Sequence, residues 1–285
     1  MKASIIIPTR NRAETLKKCL NSLKEQTVKD FEVIIVDDGS EDNTKEVVSE
    51  VRGLKKKYVY QEHSQQGVAR NNGIKLAKGK FVFFIGDDII PENNWLEQHL
   101  KTHDENKNAA VLGLTLWPKE MEVNDFMNYI APNGPQFNYG GIKNNKNCSW
   151  RFFWTSNISL EKKWLKENFD ENFRGWGYED LDLGYRLEKK GLVIVLNNEA
   201  RAYHYHSYND PEEFLRKQEN AAKSALYFVG KFPELKEEII EKNKLKNWQA
   251  LSLTVYGMLP FLKSGKKLKI IYWKLKRRDY FNKGL

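Results

Sequence analysis

Three carboxylates fall within four residues in the stretch GWGYEDLDLGYRL, residues 175–187, directly after a tryptophan flanked by glycines. Glu179, Asp180 and Asp182 could do acid–base work. They could equally complement the dipole at the start of a short helix, an effect worth roughly 0.3–1 kcal/mol. Gly175 and Gly177 around Trp176 suit a chain that passes close to a ligand. A second acidic pair, Asp87 and Asp88 in FVFFIGDDII, sits between apolar runs that must be buried. Adjacent buried carboxylates repel each other unless a cation lies with them. An oxygen site with few protein ligands suits Mg²⁺ or Mn²⁺ shared with the phosphates of a substrate. In VIIVDDGS, Asp37 and Asp38 run into a turn ended by Gly39 and Ser40. A carboxylate there can accept from a base N–H or a ribose hydroxyl, or the segment is an ordinary Asp-Gly turn. His204 and His206, in AYHYHSY, alternate along a strand and share a face. One of them is a candidate further metal ligand, against the plainer reading of a hydrogen-bonded core histidine.

The elements that must position these groups follow from periodicity. Short β-branched or aromatic runs alternate with helical patterns: SIIIP then 13–24, EVIIV then 43–51, YVYQ then 68–77, FVFFI then 95–106. This alternation predicts an α/β domain with a mostly parallel sheet, whose ligands bind at the carboxyl ends of strands. The polar clusters Thr9-Arg10-Asn11, DDGS and GDD fall at those ends. Residues 117–150 break the pattern with Asn, Gly and Pro among aromatics, and read as an acceptor-binding lid or a packed irregular excursion. Regular structure resumes with RFFWTSNISL, LVIVLNN and ARAYHYH. Asp210-Pro211-Glu212-Glu213 then starts a helix with proline at its first position.

A chain of 285 residues, 40% hydrophobic and 13% aromatic, can bury a substantial core. The division expected is a catalytic domain over 1–228 and a helical, basic extension over 229–285. Two cysteines without a spacing pattern and no signal-like opening fit a reducing cytoplasm. No window reaches the ~18 apolar residues of a membrane span. The formal charge is +9, but nine Lys or Arg against one Asp fall within residues 263–285. The body of the chain is nearly neutral, which removes the support for nucleic-acid binding.

Taken in order, SIIIPTRNR, FEVIIVDDGSEDNT, GVARNNGIKLAKGKFVFFIGDDIIPENNWL, WTSNISLEKK, NFDENFRGWGYEDLDLGYRLEKKG and ARAYHYHS resemble family 2 of the inverting glycosyltransferases, with the GT-A fold. The resemblance covers residues 3 to about 225 and implies a role for each matching residue. Thr9 and Asp38 would hold the nucleobase, Asp87 the ribose, and Asp88 the metal, Mn²⁺ or Mg²⁺. Arg70 and Asn71 match a segment near the nucleotide. Asp180 matches the general base and Glu179 a residue that orients the acceptor, while Trp176 would offer a ring face to the sugar. Gly86 stands where many members carry the first acid of the metal motif. Asp182 is expected to cap or form a salt bridge.

The resemblance implies a nucleotide-sugar donor, UDP-linked, and a carbohydrate or lipid-linked acceptor. The QxxRW motif of processive synthases is missing from the sequence, which favours single transfer. The alternative is a nucleotide-sugar-binding protein without catalysis, using the tail to dock. In KKLKIIYWKLKRR, Leu268, Ile271 and Leu275 recur at helical spacing beside Tyr272, Trp273 and many cations. That pattern predicts a helix attracted to anionic membrane, placing a cytoplasmic protein on the inner face of the cell membrane.

Overall fold

The computed structural model describes residues 1–244 and 266–285; the apolar stretch 250–262 lies outside them. The chain divides into two compact units. Met1–Glu122, Ala131–Glu171 and Asp180–His206 form the first, and Val123–Ile130, Asn172–Glu179 and Ser207–Leu285 the second.

The first unit holds the sheet. Its strands are β1 (Ala3–Thr9), β2 (Phe31–Asp38), β3 (Lys56–Gln61), β4 (Phe81–Ile85), β5 (Ile89–Pro91), β6 (Ala109–Leu116), β7 (Asn157–Glu161) and β8 (Val193–His204). They lie in the order β3-β2-β1-β4-β7-β6-β8-β5. β3, β2, β1 and β4 run parallel, as do β6 and β8, while β7 and β5 pair antiparallel with their neighbours. The runs Ile5-Ile6-Ile7 and Val33 to Val36 are fully buried, as strands covered by helices on both faces must be. Helix α1 (Ala13–Lys24) turns Leu16, Cys19, Leu20 and Leu23 onto this sheet, the spacing of a one-sided apolar stripe. Helices α2 (Thr44–Glu50), α3 (Gln66–Leu76) and α4 (Trp95–Glu105) complete the α/β alternation.

Two segments differ from their sequence reading. LVIVLNN and ARAYHYH form a single strand, because both halves pair with β6 across an irregularity at Gly113/Leu114. Asn198 and Glu199 between them are exposed, whereas Asn197 donates to Gln98 O at 3.1 Å and Thr102 Oγ1 at 2.7 Å on the 95–105 helix and accepts from Glu199 N at 2.8 Å to close the bulge. Within residues 117–150 part of the excursion packs inward, while 143–147 are exposed. Phe137, Tyr139, Cys148 and Trp150 are buried. The Tyr139 hydroxyl donates to Gly113 O at 2.8 Å and accepts from Thr115 N at 2.9 Å.

In the second unit, α5 (Asp125–Ile130), α7 (Pro211–Lys231) and a C-terminal helix (Lys266–Lys283) pack together. Asp210 accepts from Glu212 N at 2.9 Å, with Pro211 opening α7 as expected. The expected boundary at 228/229 falls inside this helix. Trp273 packs against Phe126 and Tyr129 with ring centroids 5.2 and 5.7 Å apart, and Leu275 and Phe281 are buried.

Candidate active site

The sheet order brings the first acidic cluster together. β1 and β4 are parallel neighbours, so the residues that follow them emerge at the same edge. Thr9 Oγ1 donates to Asp87 Oδ2 at 2.8 Å. The antiparallel register of β5 and β8 sets Ile89 opposite His204, which brings His204 Nε2 to 3.3 Å from Asp88 Oδ2. His204 is buried, stacked on Trp117 at 5.3 Å and on His206 at 5.7 Å. The two histidines thus share a face, although His206 lies beyond the end of the strand. Arg12 completes the group: its Nη1 donates to Asp87 Oδ1 at 3.2 Å and to Asp88 Oδ2 at 2.5 Å.

Electrostatics split the acidic pair. Burial, and then the charge of Asp88, push the Asp87 carboxyl up to about 7. Burial alone would also raise Asp88, but His204 and then Arg12 hold it below the usual carboxylate range. The surroundings thus favour charge on Asp88 over charge on Asp87. A carboxylate oxygen and an imidazole nitrogen 3.3 Å apart are close to the spacing of two neighbouring ligands on one ion, about 3 Å. The His204 Nδ1 atom is buried with no hydrogen-bond partner among the described residues. Among those residues no group of three or more His, Cys, Asp or Glu forms a preformed metal site. Two protein ligands with the rest left to substrate phosphates fits the way Mg²⁺ or Mn²⁺ is commonly held. A Cβ added at Gly86 would lie 2.8 Å from Asp88 Oδ1, so a larger residue there would have to shift that carboxylate.

Asp38 is engaged in a network of its own at the end of β2. Its carboxylate accepts from Gln61 Nε2 at 2.7 Å, Ser64 N at 2.8 Å and Gln65 N at 3.2 Å, and contacts His63 Nδ1 at 2.8 Å. Asp37 accepts from Ser40 N at 2.8 Å and from the Tyr58 hydroxyl at 2.6 Å. Arg70 donates to Gln66 Oε1 at 2.9 Å and lies over the Phe169 ring at 5.4 Å. Asn71 ties α3 to the segment after β7, donating to Phe169 O at 2.9 Å and Glu171 Oε1 at 2.8 Å and accepting from Phe169 N at 2.9 Å.

Glu179 and Asp180 open α6 (Glu179–Lys189). Glu179 is buried, and Asp180 is partly exposed with Oδ1 accepting from Leu181 N at 2.8 Å. Asp182, itself fully buried, forms the expected salt bridge with Arg186 Nε at 2.8 Å and Nη2 at 2.7 Å. Arg186 also donates to Asn168 O at 2.9 Å, tying α6 to that segment. Arg186→Ala takes the two-pronged cation away from the buried Asp182 carboxylate, and the expected loss is about 3–5 kcal/mol in urea unfolding. A loss below about 1 kcal/mol would mean that the pair is not structural.

In the second unit the glycines around Trp176 have a structural reason. A Cβ on Gly175 would lie 2.4 Å from Asn220 O and 2.5 Å from Ser224 Oγ on α7, and Gly177 has φ +77°. The close approach is therefore to a helix of the same unit, which corrects the sequence reading of a chain passing by a ligand. Tyr178, at φ 70°, extends the left-handed backbone up to Glu179. A bulky residue there is strained and is held by its surroundings: its ring lies 5.7 Å from Phe228. Trp176 is 37% exposed, with one edge toward Phe214 at 6.0 Å.

Arg12 is the residue that sequence reasoning missed. Its signal was the unmet need itself: two acids at the end of β4 call for a cation, and an arginine follows the neighbouring strand.

Residues 4–169 match the family model described as Glycosyl transferase family 2. A chondroitin synthase of Escherichia coli is 32% identical over 237 residues, 70% of this chain and 34% of that protein. A validoxylamine A glucosyltransferase of Streptomyces hygroscopicus subsp. jinggangensis is 31% identical over 226 residues, 69% of this chain and 54% of that protein. The chain thus spans between about a third and about half the length of these curated relatives. Among solved structures, the mannosyltransferase PcManGT of Pyrobaculum calidifontis in complex with GDP-Man and Mn²⁺ superposes with a TM-score of 0.73 at 15% identity, over 99% of this chain and 86% of that one. TarS 1-349 of S. aureus in complex with UDP superposes with a TM-score of 0.60 at 22% identity, over 99% of this chain and 89% of that one. These likenesses show the shared GT-A fold.

Proposed function

The chain belongs to glycosyl transferase family 2, and from that membership we propose that it moves a sugar from a nucleotide-sugar, UDP-linked, to an acceptor hydroxyl with inversion. The observation that carries this reading is the buried Asp87–Asp88 pair at the carboxyl end of β4, with Thr9 on one acid and His204 on the other. Asp180 takes the proton from the acceptor hydroxyl as its oxygen attacks the anomeric carbon. The bond to the diphosphate breaks with its electron pair on the departing oxygen. Glu179 orients the acceptor, and Trp176 offers its exposed ring to a sugar. Asp88 and His204 would hold a divalent ion, Mn²⁺ or Mg²⁺, which would supply positive charge to the leaving diphosphate.

Thr9, Asp38 and Arg70 line the nucleotide in this reading, and Asp87 meets the ribose. A carboxylate offers about four acceptor positions, and all four on Asp38 are used, so a base N–H binds only by displacing a partner. His63, at 43% side-chain exposure, is the one most easily exchanged. A thermal-shift screen of UDP, GDP and their sugars with Mn²⁺ tests the donor. Saturating UDP should raise the melting temperature by about 5 °C or more. No shift with any nucleotide would sink the donor assignment.

The acceptor reading is a carbohydrate or lipid-linked hydroxyl, with the C-terminal helix drawn to an anionic membrane on the cytoplasmic side. Among the described residues no helix is long and apolar enough to cross a membrane. Because Trp273, Leu275 and Phe281 pack within the second unit, attraction rests on charge more than on insertion. Full-length protein should co-sediment with vesicles rich in phosphatidylserine and be released as salt rises. Lys267→Gln with Lys274→Gln, both at exposed positions, should weaken this several-fold. Salt-independent binding, or none at low salt, would remove the membrane from the account.

A further inference from the structure

The counter-charge that the acidic pair needs is already present in the chain. Arg12 reaches the same Asp88 oxygen that faces His204, so the atom proposed to bind the ion already carries a protein cation. The backbone that aims Arg12 is fixed. Asn11 sits in the left-handed region at φ 51°. Its N donates to Ser40 Oγ at 2.9 Å and its Oδ1 accepts from Glu41 N at 2.7 Å. Ala13 N donates to Asp42 Oδ2 at 3.1 Å on the other side. The Arg12 side chain is different. It is 38% exposed, against 8% and 12% for the two carboxylates it touches. The guanidinium can therefore swing into solvent while the backbone stays in place.

Resting on the metal reading above, we propose that Arg12 is a placeholder cation that competes with the divalent ion for Asp88. A guanidinium and a metal ion repel each other, so the two compete for one carboxylate oxygen. Without a donor, Arg12 keeps two buried carboxylates from facing each other uncompensated, a situation costly to the fold. For the same reason it opposes loading of the ion by itself. Binding at this Asp88 oxygen is opposed while Arg12 stays on it, which favours entry of the ion together with the diphosphate that offers further oxygens. Arg12 is thus a positioning residue whose effect is on the order of loading.

The test uses full-length protein without nucleotide, titrated with Mn²⁺ and followed by the electron paramagnetic resonance of the free ion. Arg12→Gln should bind Mn²⁺ about tenfold or more tightly than wild type. Arg12→Lys, which keeps the charge but not the two-pronged contact, should fall between them. Asp88→Asn should abolish the binding in either background. Should Arg12→Gln fold poorly, Mn²⁺ should raise its melting temperature more than that of wild type, and Arg12→Lys supplies the comparison by titration. Equal or weaker binding by Arg12→Gln overturns the placeholder role while leaving the metal reading intact, provided that binding still needs Asp88. Binding that is indifferent to Asp88→Asn overturns the metal reading itself.

Discussion

Asp180→Asn is expected to bind the nucleotide donor within about twofold of wild type and to lose about 10²- to 10⁴-fold in turnover, the usual contribution of a positioned general base. Asparagine preserves the shape of the side chain and can still accept from Leu181 N through its carbonyl oxygen, so the start of α6 is kept. What it loses is the capacity to take a proton. Asp182 supplies the control two residues on, because it carries the same charge but spends it on Arg186 inside the fold. Asp182→Asn should therefore lower stability with little effect on turnover of the folded fraction. Steady-state kinetics beside donor titration separate the two outcomes. Near-full turnover in Asp180→Asn would remove this residue from the mechanism.

Removal of divalent ions is expected to reduce transfer by roughly 10²- to 10³-fold, the rate equivalent of several kcal/mol of charge stabilisation. Mn²⁺ or Mg²⁺ should restore it. Asp88→Asn should stay impaired at any metal concentration, because the buried oxygen that carries the charge is gone. His204→Ala should weaken the metal response more than His206→Ala, since His204 Nε2 lies 3.3 Å from Asp88 and His206 lies past the strand. Full activity in EDTA-treated protein would contradict the metal assignment. Arg12 would then be the permanent counter-ion of the pair.

How much of this was legible depended on how local the cause was. Strands such as SIIIP and VIIV, and the apolar stripe Leu16, Leu20, Leu23, are recorded in neighbouring residues, and their elements follow from period and burial. The polar clusters at the ends of β1, β2 and β4 could be located for the same reason. The join between LVIVLNN and ARAYHYH was not legible. A polar bulge at Asn197 to Glu199 looks like a turn unless the partner strand β6 is known. Arg12 shows the same limit in charge: the pairing spans 75 and 76 residues, and no local pattern links its ends. Gly175 misled for a related reason, since a close approach to α7 and one to a ligand leave the same mark in sequence. The aromatics of residues 131–150 and of the C-terminal helix were visible, but which of them pack inward is decided by tertiary contact.

The central claim is inverting transfer from a nucleotide-sugar, and the anomeric configuration of the product tests it most directly. UDP-sugars carrying an α-linkage are incubated with Mn²⁺ and a panel of carbohydrate acceptors, and the products are followed by proton NMR alongside release of UDP. The account predicts acceptor-dependent UDP release, matched one for one by a new β-glycosidic linkage. A product that keeps the α-configuration, or no acceptor-dependent release from any nucleotide-sugar, would contradict it.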